Sequence, residues 1–317
     1  MVDSHGGRKH YLIAQSLDWA ITQRVNMANN AFSVSTTPKK FKLGQTLRTI
    51  VLYVTVTAVS LITIFPIYWM LVSTFQPSKY TLHYPPPLFP QEITFYQFAE
   101  LFANHPIARW LRNSFLIATM AMLVCLALSV VGAYALSSLR WKGRSLFGLF
   151  LLVTQMLPEI LILIPIYIIY RRLNLLDSMP SLALVDAAFA LPICIWILKG
   201  VFDTVPPEVL DAAVVDGCTE MSVLWRIVLP LSMPGLVAVA VVSFFSAWNE
   251  FLFAVILLAS AQFQPASVGL TTLKATGFTP VEQYMAAGLI FSILPVLFYL
   301  VMQRYIISGL TAGAVKG

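Results

Sequence analysis

A chain of 317 residues that is 58% hydrophobic and only 11% charged lies far from the composition of a water-soluble domain, in which about a quarter of residues are charged. That excludes a soluble globule and points to an all-α polytopic membrane protein, because a span of about 20 apolar residues must satisfy its own backbone within one helix. The formal net charge of +6 does not indicate nucleic acid, since the basic residues flank apolar runs and form no patch interleaved with aromatics.

In chain order, residues 1–45 read as an N-terminal cytoplasmic extension before a transmembrane domain at 46–317. Helical spacing within 10–28, at Leu12, Ser16, Ala20 and Arg24 beside Ile13, Leu17, Ile21 and Val25, leaves two readings: a helix lying on the membrane surface, or a weakly ordered arm joined by SVSTTPKK. Residues 1–30 contain no continuous apolar run, so the first span, near 50–72, is expected to act as an uncleaved anchor. Five more candidate spans follow at about 115–139, 146–170, 181–202, 234–258 and 285–303, giving six transmembrane helices. The connection at 73–113 is rich in proline and aromatics, which suits a stiff interfacial segment. Its stretch ITFYQFAELFAN (93–104) predicts an amphipathic helix running into the second span.

Two carboxylates, Glu159 and Asp186, fall inside predicted spans, where an ionised group costs about 2.5–3.5 kcal/mol, so both should face the bundle or a water-filled cavity. Pro158 and Pro165 should break or kink the helix that carries Glu159. The two acids line a solute path, relay protons, or satisfy freed backbone groups. Further on, Trp248, Asn249 and Glu250 interrupt the fifth span at its middle. An aromatic, an amide and a carboxylate there suit a polyol path, although packing or gating would use them equally well.

Between the fourth and fifth spans, PPEVLDAAVVDGCTEMSVLWRIVLPLSMP (206–234) is a polar, acidic loop with helical character. A helical wheel puts Glu208, Asp211, Ala212, Val215 and Asp216 on one arc and Val209, Leu210, Ala213, Val214 and Gly217 on the other. Pro206 and Pro207 suit the first turn, Glu208 and Asp211 sit at the positive end of the helix dipole, and Gly217 suits a left-handed residue past its end. A second short helix follows, with Met221, Leu224, Trp225 and Val228 on one face and Pro230 and Pro234 at its end. An acidic helix held between two spans is expected to dock a partner; the alternative is that its apolar face packs on its own bundle and its acids stay in solvent.

No catalytic, cofactor-binding or metal-binding residue can be assigned. The sequence has no G-x-x-x-x-G-K-[ST] cradle for ATP, no H-E-x-x-H, no zinc spacing and no G-x-S-x-G elbow. Cys125, Cys194 and Cys218 are odd in number and scattered, which is no disulfide framework. Energy must come from another protein or from an ion gradient.

The 206–234 loop resembles the cytoplasmic EAA loop of ABC-importer permeases, a pattern of E-A-A, three residues, G, nine residues, I, one residue, L-P. It is matched here by Asp211, Ala212, Ala213, Gly217, Ile227, Leu229 and Pro230, with Asp in place of the usual Glu. RNSFLIAT (112–119), AYALSSLRWKGR (133–144), WNEFLFA (248–254) and QRYIISGLTAGAVKG (303–317) are similar to the maltose-permease branch of carbohydrate importers. The likeness starts near residue 48. It implies a type I, six-helix permease fold paired with a second homologous permease. A pair of ATPase subunits, which carry the ATP and Mg, would grip the loop, and an extracytoplasmic solute-binding protein would deliver sugar. It also implies that the flexible, glycine-rich tail at 308–317, with Gly313 and Lys316, inserts toward the ATPase interface. With both termini in the cytoplasm, eleven basic residues beside the spans lie inside and six outside. The positive-inside rule therefore favours that orientation in a bacterial inner membrane, with Arg171 and Arg172 dissenting. A proton-coupled sugar transporter using Glu159 and Asp186 is the rival reading.

Overall fold

The structure, a computed structural model, describes residues 43–81, 84, 85, 87–275 and 279–314 together with Trp19. The 10–28 helix and Lys316 therefore lie outside the described residues. All regular structure among them is helical. The helices are α1 (Leu43–Thr74), α2 (Ser78–Thr81), α3 (Tyr96–Asn104), α4 (Ile107–Ser137), α5 (Arg144–Thr154), α6 (Glu159–Arg172), α7 (Met179–Phe202), α8 (Pro207–Val215), α9 (Glu220–Val223), α10 (Leu229–Leu231), α11 (Met233–Trp248), α12 (Leu252–Leu257), α13 (Ala266–Ala275) and α14 (Val281–Ala314). The chain divides into two compact units, residues 1–63 and 64–317. In the first, the described part of α1 is an apolar helix whose side chains from Leu47 onward are exposed. The second is a helical bundle.

The centre of the bundle is α4, α7 and α11, each packed on the other two. Their facing sides carry small residues at turn-like intervals: Ala118, Ala121, Cys125, Ser129 and Ala133 on α4; Ala183, Ala187, Ala190 and Cys194 on α7; Gly235, Val239, Ser243 and Ala247 on α11, all buried. Between helices in hydrocarbon, where lipid tails are as apolar as leucine, close backbone approach through small side chains is the main source of association. The spacing leaves no slack. A Cβ at Gly132 would come within 2.8 Å of the Ile195 side chain, and one at Gly235 within 2.8 Å of Val201. Around this core, α14 packs on α11, α5 on α7, and α13 on α4 and α14.

Four helices are long and apolar enough to cross a membrane unbroken, and two bent pairs bring the number to as many as six. The expected third span is not continuous. It is α5 and α6, bent by 96° about residues 155–158, because Pro158 offers no N–H and disfavours helix at Leu157. Glu159 thus begins a helix instead of sitting inside one, and it is exposed. Another bend, of 82°, separates the Glu220–Leu231 segment from α11. The fifth span ends at Trp248, so Asn249 and Glu250 stand at a helix end and not at mid-helix. There the Glu250 carboxylate accepts from the backbone N–H groups of Phe253 (2.6 Å) and Ala254 (2.8 Å) and caps α12.

Other boundaries also differ from the sequence reading. His105 and Pro106 separate α3 from α4, so the 93–104 helix does not run into the second span. The second short helix of the acidic loop is α9 followed by a π-helical turn at Leu224–Val228, which lets Leu224 and Val228 both turn inward. Pro230 lies at the start of α10, where a missing N–H costs nothing. The 308–317 tail, expected to be flexible, continues α14 as helix through Ala314; scattered glycines at about 1 kcal/mol each do not stop a long helix.

Polar side chains of α4 hold the irregular stretch before α13. The Asn113 amide, fully buried, donates to the carbonyls of Gln262 (2.9 Å) and Gln264 (3.0 Å), and Ser114 Oγ accepts from the Ala266 N–H at 2.8 Å. Non-helical backbone at such depth survives only where protein satisfies it. A Cβ on Gly269 of α13 would lie 2.3 Å from the Trp110 indole. Gly269→Ala is therefore expected to destabilise the bundle by about 1–3 kcal/mol through overpacking, read as a lowered melting temperature of the detergent-purified protein; an unchanged value would mean that Trp110 swings clear.

Candidate functional site

Two places gather the residues singled out by sequence: the loop carrying α8 and a polar cavity beside α7. The loop begins at the end of α7, where Asp203 accepts from Lys199 Nζ (2.5 Å) and from Ser137 Oγ (2.6 Å), joining α7 to α4. Burial works against its charge, but the Lys199 and Ser137 hydrogen bonds and the nearby Lys199 and Arg144 charges outweigh it and hold its pKa below the usual carboxylate range. Pro206, extended at φ −60° and ψ 132°, precedes α8, and Pro207 occupies its first turn.

The C-terminal end of α8 is closed by a Schellman motif. Gly217 has φ +82°, its N–H bonds the Val214 carbonyl at 3.0 Å, and the Cys218 N–H bonds the Ala213 carbonyl at 3.0 Å. Thr219 then caps α9 by accepting from the Ser222 N–H at 3.3 Å. Below it, the Tyr134 hydroxyl of α4 lies 2.9 Å from Glu220 Oε2 and 3.2 Å from the Glu220 carbonyl, tying the loop to the bundle.

The motif residues divide by environment. Ala213 and Leu229 are buried, Leu210 and Ile227 half-buried, and with Val223, Leu224 and Val228 they join the core that includes Phe202. Glu208, Asp211, Ala212, Asp216, Gly217 and Pro230 are exposed. Among the described residues no ion pair engages Glu208, Asp211 or Asp216. The apolar arc is not fully covered either, for Val209 is 39% and Val214 55% exposed. Beside α8 runs a groove of about 1140 Å³ whose far wall is the end of α4 and the turn into α5, with Tyr134, Ser137, Arg140 and Arg144. Sequence analysis singled out 133–144 only for its family likeness and gave it no place beside the loop; that the α4 end packs against the acidic loop is a tertiary fact.

The second place is a cavity of about 340 Å³ that brings together Glu159, Asp186, Asn249 and Glu250, with Ser246 and Phe189 in the same wall. These come from α6, α7 and the break after α11. Trp248 is not part of that wall. It is buried in a ring stack on Phe244 (5.8 Å) and Phe291 (5.0 Å), and Phe244 stacks in turn on Phe298 (4.2 Å), which fastens α11 to α14. Asn249 donates to the Phe245 carbonyl at 2.9 Å and so closes the end of α11. Gly313 lies in the last turns of α14, away from both places in sequence.

The model of a family described as "Binding-protein-dependent transport system inner membrane component" matches residues 126–311. The chain is 36% identical to the inner membrane ABC transporter permease protein YcjP of Escherichia coli, over 81% of this chain and 92% of the relative. It is 34% identical to the diacetylchitobiose uptake permease DasC of Streptomyces coelicolor (80% and 92%) and 32% identical to the trehalose/maltose permease MalG of Thermococcus litoralis (86% and 99%). In fold it is similar to a chain of a bacterial ABC transporter that imports the acidic polysaccharide alginate, with TM-score 0.70 at 22% identity, covering 83% of this chain and 97% of that one.

Gly217 has open space around it, so only its backbone conformation resists a side chain. Gly217→Val should cost about 1–2 kcal/mol for the left-handed residue and expose the 216–219 linker to protease in membranes; resistance equal to wild type would place the helix end elsewhere. The Asp203 tie should persist above the ordinary carboxylate pKa of about 3.9 and be lost as pH falls through its lower folded value. Asp203→Asn should abolish that acid sensitivity in a pH series of melting temperatures.

Proposed function

This chain belongs to the binding-protein-dependent transport system inner membrane component family, as an ABC-importer permease, and from that premise we propose that it forms one half of a carbohydrate pathway worked by a separate ATPase through α8. The observation that carries the reading is α8 itself: a nine-residue helix, stopped at both ends, with Glu208, Asp211 and Asp216 exposed and unpaired while Ala213 anchors it to the core. Carboxylates so placed suit basic residues lining a cleft on a motor subunit. A short helix seated there passes on closure of that cleft as a rigid-body push.

In this reading a pair of ATPase subunits holds ATP and Mg, and a second, homologous permease completes the bundle. An extracytoplasmic binding protein hands sugar to the side bearing α3 and the 75–95 connection, and both termini lie in the cytoplasm. ATP binding draws the α8 helices of the two permeases together and turns the pathway outward; hydrolysis returns it inward, which is alternating access between two states. Carbohydrate as the cargo class follows from the sugars named for the relatives DasC and MalG. The Gly313 region of α14 and the residues after it are assigned to the ATPase side, as the family likeness of the tail implies.

Asp211→Lys should leave membrane insertion intact and reduce the ATPase recovered with the tagged permease at least about tenfold, the loss of roughly 1.4 kcal/mol. Uptake in cells should fail without the ATPase and survive an uncoupler. Retention of the ATPase at wild-type level would remove α8 as the grip, and uptake that collapses with the proton gradient but not with ATPase loss would establish the proton-coupled alternative through Glu159 and Asp186.

A further inference from the structure

The polar part of the wall of the 340 Å³ cavity is dominated by three carboxylates, those of Glu159, Asp186 and Glu250. Asp186 is only 4% exposed, and both of its carboxylate oxygens are buried without a hydrogen-bond partner. Such a group in a native bundle asks for a donor. Its neighbours in the wall do not supply one. Glu159 and Glu250 are also acceptors when ionised, Glu250 already takes the N–H groups of Phe253 and Ala254, and one of the two amide N–H groups of Asn249 is taken by the Phe245 carbonyl. Ser246 carries the one side-chain hydroxyl, and no lysine, arginine or histidine lines the cavity. Its volume falls at the small end of ligand pockets, about 300–1,000 Å³. On one flank the half-buried Phe189, backed by the buried Phe253 ring at 5.0 Å, and the exposed Phe251 give an apolar surface of the kind against which the C–H face of a sugar ring packs.

We propose that this cavity is a solute subsite on the present chain, one that accepts a sugar unit presenting hydroxyl or protonated amino donors and refuses a unit bearing carboxylate or sulfate. The proposal rests on the transport reading and adds selectivity within the membrane to it. Asp186 supplies the acceptor that is unpaired until solute arrives. Glu159, exposed at the start of α6, supplies negative charge at the rim, which draws cationic and repels anionic units. The break after Trp248 leaves room for the solute, since continuing α11 as a helix through 249–251 would fill the space that Asn249 and Glu250 now border.

The test uses the complete complex in lipid nanodiscs, with partner permease and ATPase but without the solute-binding protein, so that only membrane sites are read. Three labelled disaccharides of equal size serve as probes: cellobiose, its diamino counterpart (the glucosamine disaccharide) and its uronate counterpart (cellobiouronic acid). Equilibrium binding should run diamino above neutral, with the uronate at least about tenfold weaker than neutral. Asp186→Asn should cut diamino binding about tenfold or more and narrow the gap to the uronate. Glu159→Gln, on an exposed side chain, should narrow it less and gives a second measurement should Asp186→Asn fail to assemble. Uronate binding as tight as neutral, no binding of any of the three, or both variants binding all three as wild type does would each overturn the subsite. Recovery of the ATPase with the complex is scored separately: if it is retained and ATP-driven uptake persists while discrimination is absent, the subsite is wrong and the transport reading stands; if it is lost in wild type, the transport reading itself has failed.

Discussion

Helices in hydrocarbon gain little by hiding one leucine against another, so what holds this bundle is how near its backbones can come. The alanines, serines and cysteines along α4, α7 and α11 set that distance, and everything else is arranged around it. Because the three central helices are close and unyielding, the remaining irregularity is pushed to their ends, where it is paid for residue by residue in hydrogen bonds. Asn113 and Ser114 hold the 262–266 backbone, Glu250 caps α12, and Ser267 Oγ donates to the Glu250 carbonyl at 2.6 Å. The polar cavity exists because these breaks exist.

The two functional places share an economy of design. At the α8 loop, apolar members of the motif are buried to seat the helix, while its acids are left outside and unpaired. At the cavity the division is reversed, with the acid inside and apolar rings on the flank. Both are carried by α7, whose first half holds Asp186 and whose last turn holds Lys199 and the tie to Asp203. A rigid-body tilt of α7 would thus move the cavity wall and the loop anchor together, as the proposed alternating access asks of it.

How much of this the residues announced depends on range. Pro206, Pro207 and Gly217 act on their own neighbours, so the limits of α8 and its left-handed close were legible. Periodicity located the apolar runs but not their interruptions, because hydropathy is blind to a 96° turn: Pro158 was visible as a breaker, yet only tertiary packing decides between a kink and a full bend. Trp248 was misleading for a different reason. Its chemistry suits sugar stacking, but its place is decided by Phe244, Phe291 and Phe298, two of them more than 40 positions away in sequence. The partners of Asn113 lie about 150 positions further on. No local pattern encodes them.

At nine residues, α8 falls short of the roughly 12–15 that an isolated helix needs to hold its shape in water. Its stiffness is therefore borrowed: from proline at one end, from the Gly217 turn at the other, and from Ala213 seated on the core. A strut with borrowed stiffness transmits force only while its lender is intact. On the coupling proposed above, damage deep among the small residues of the bundle would then surface as a motor that still burns its fuel and moves nothing.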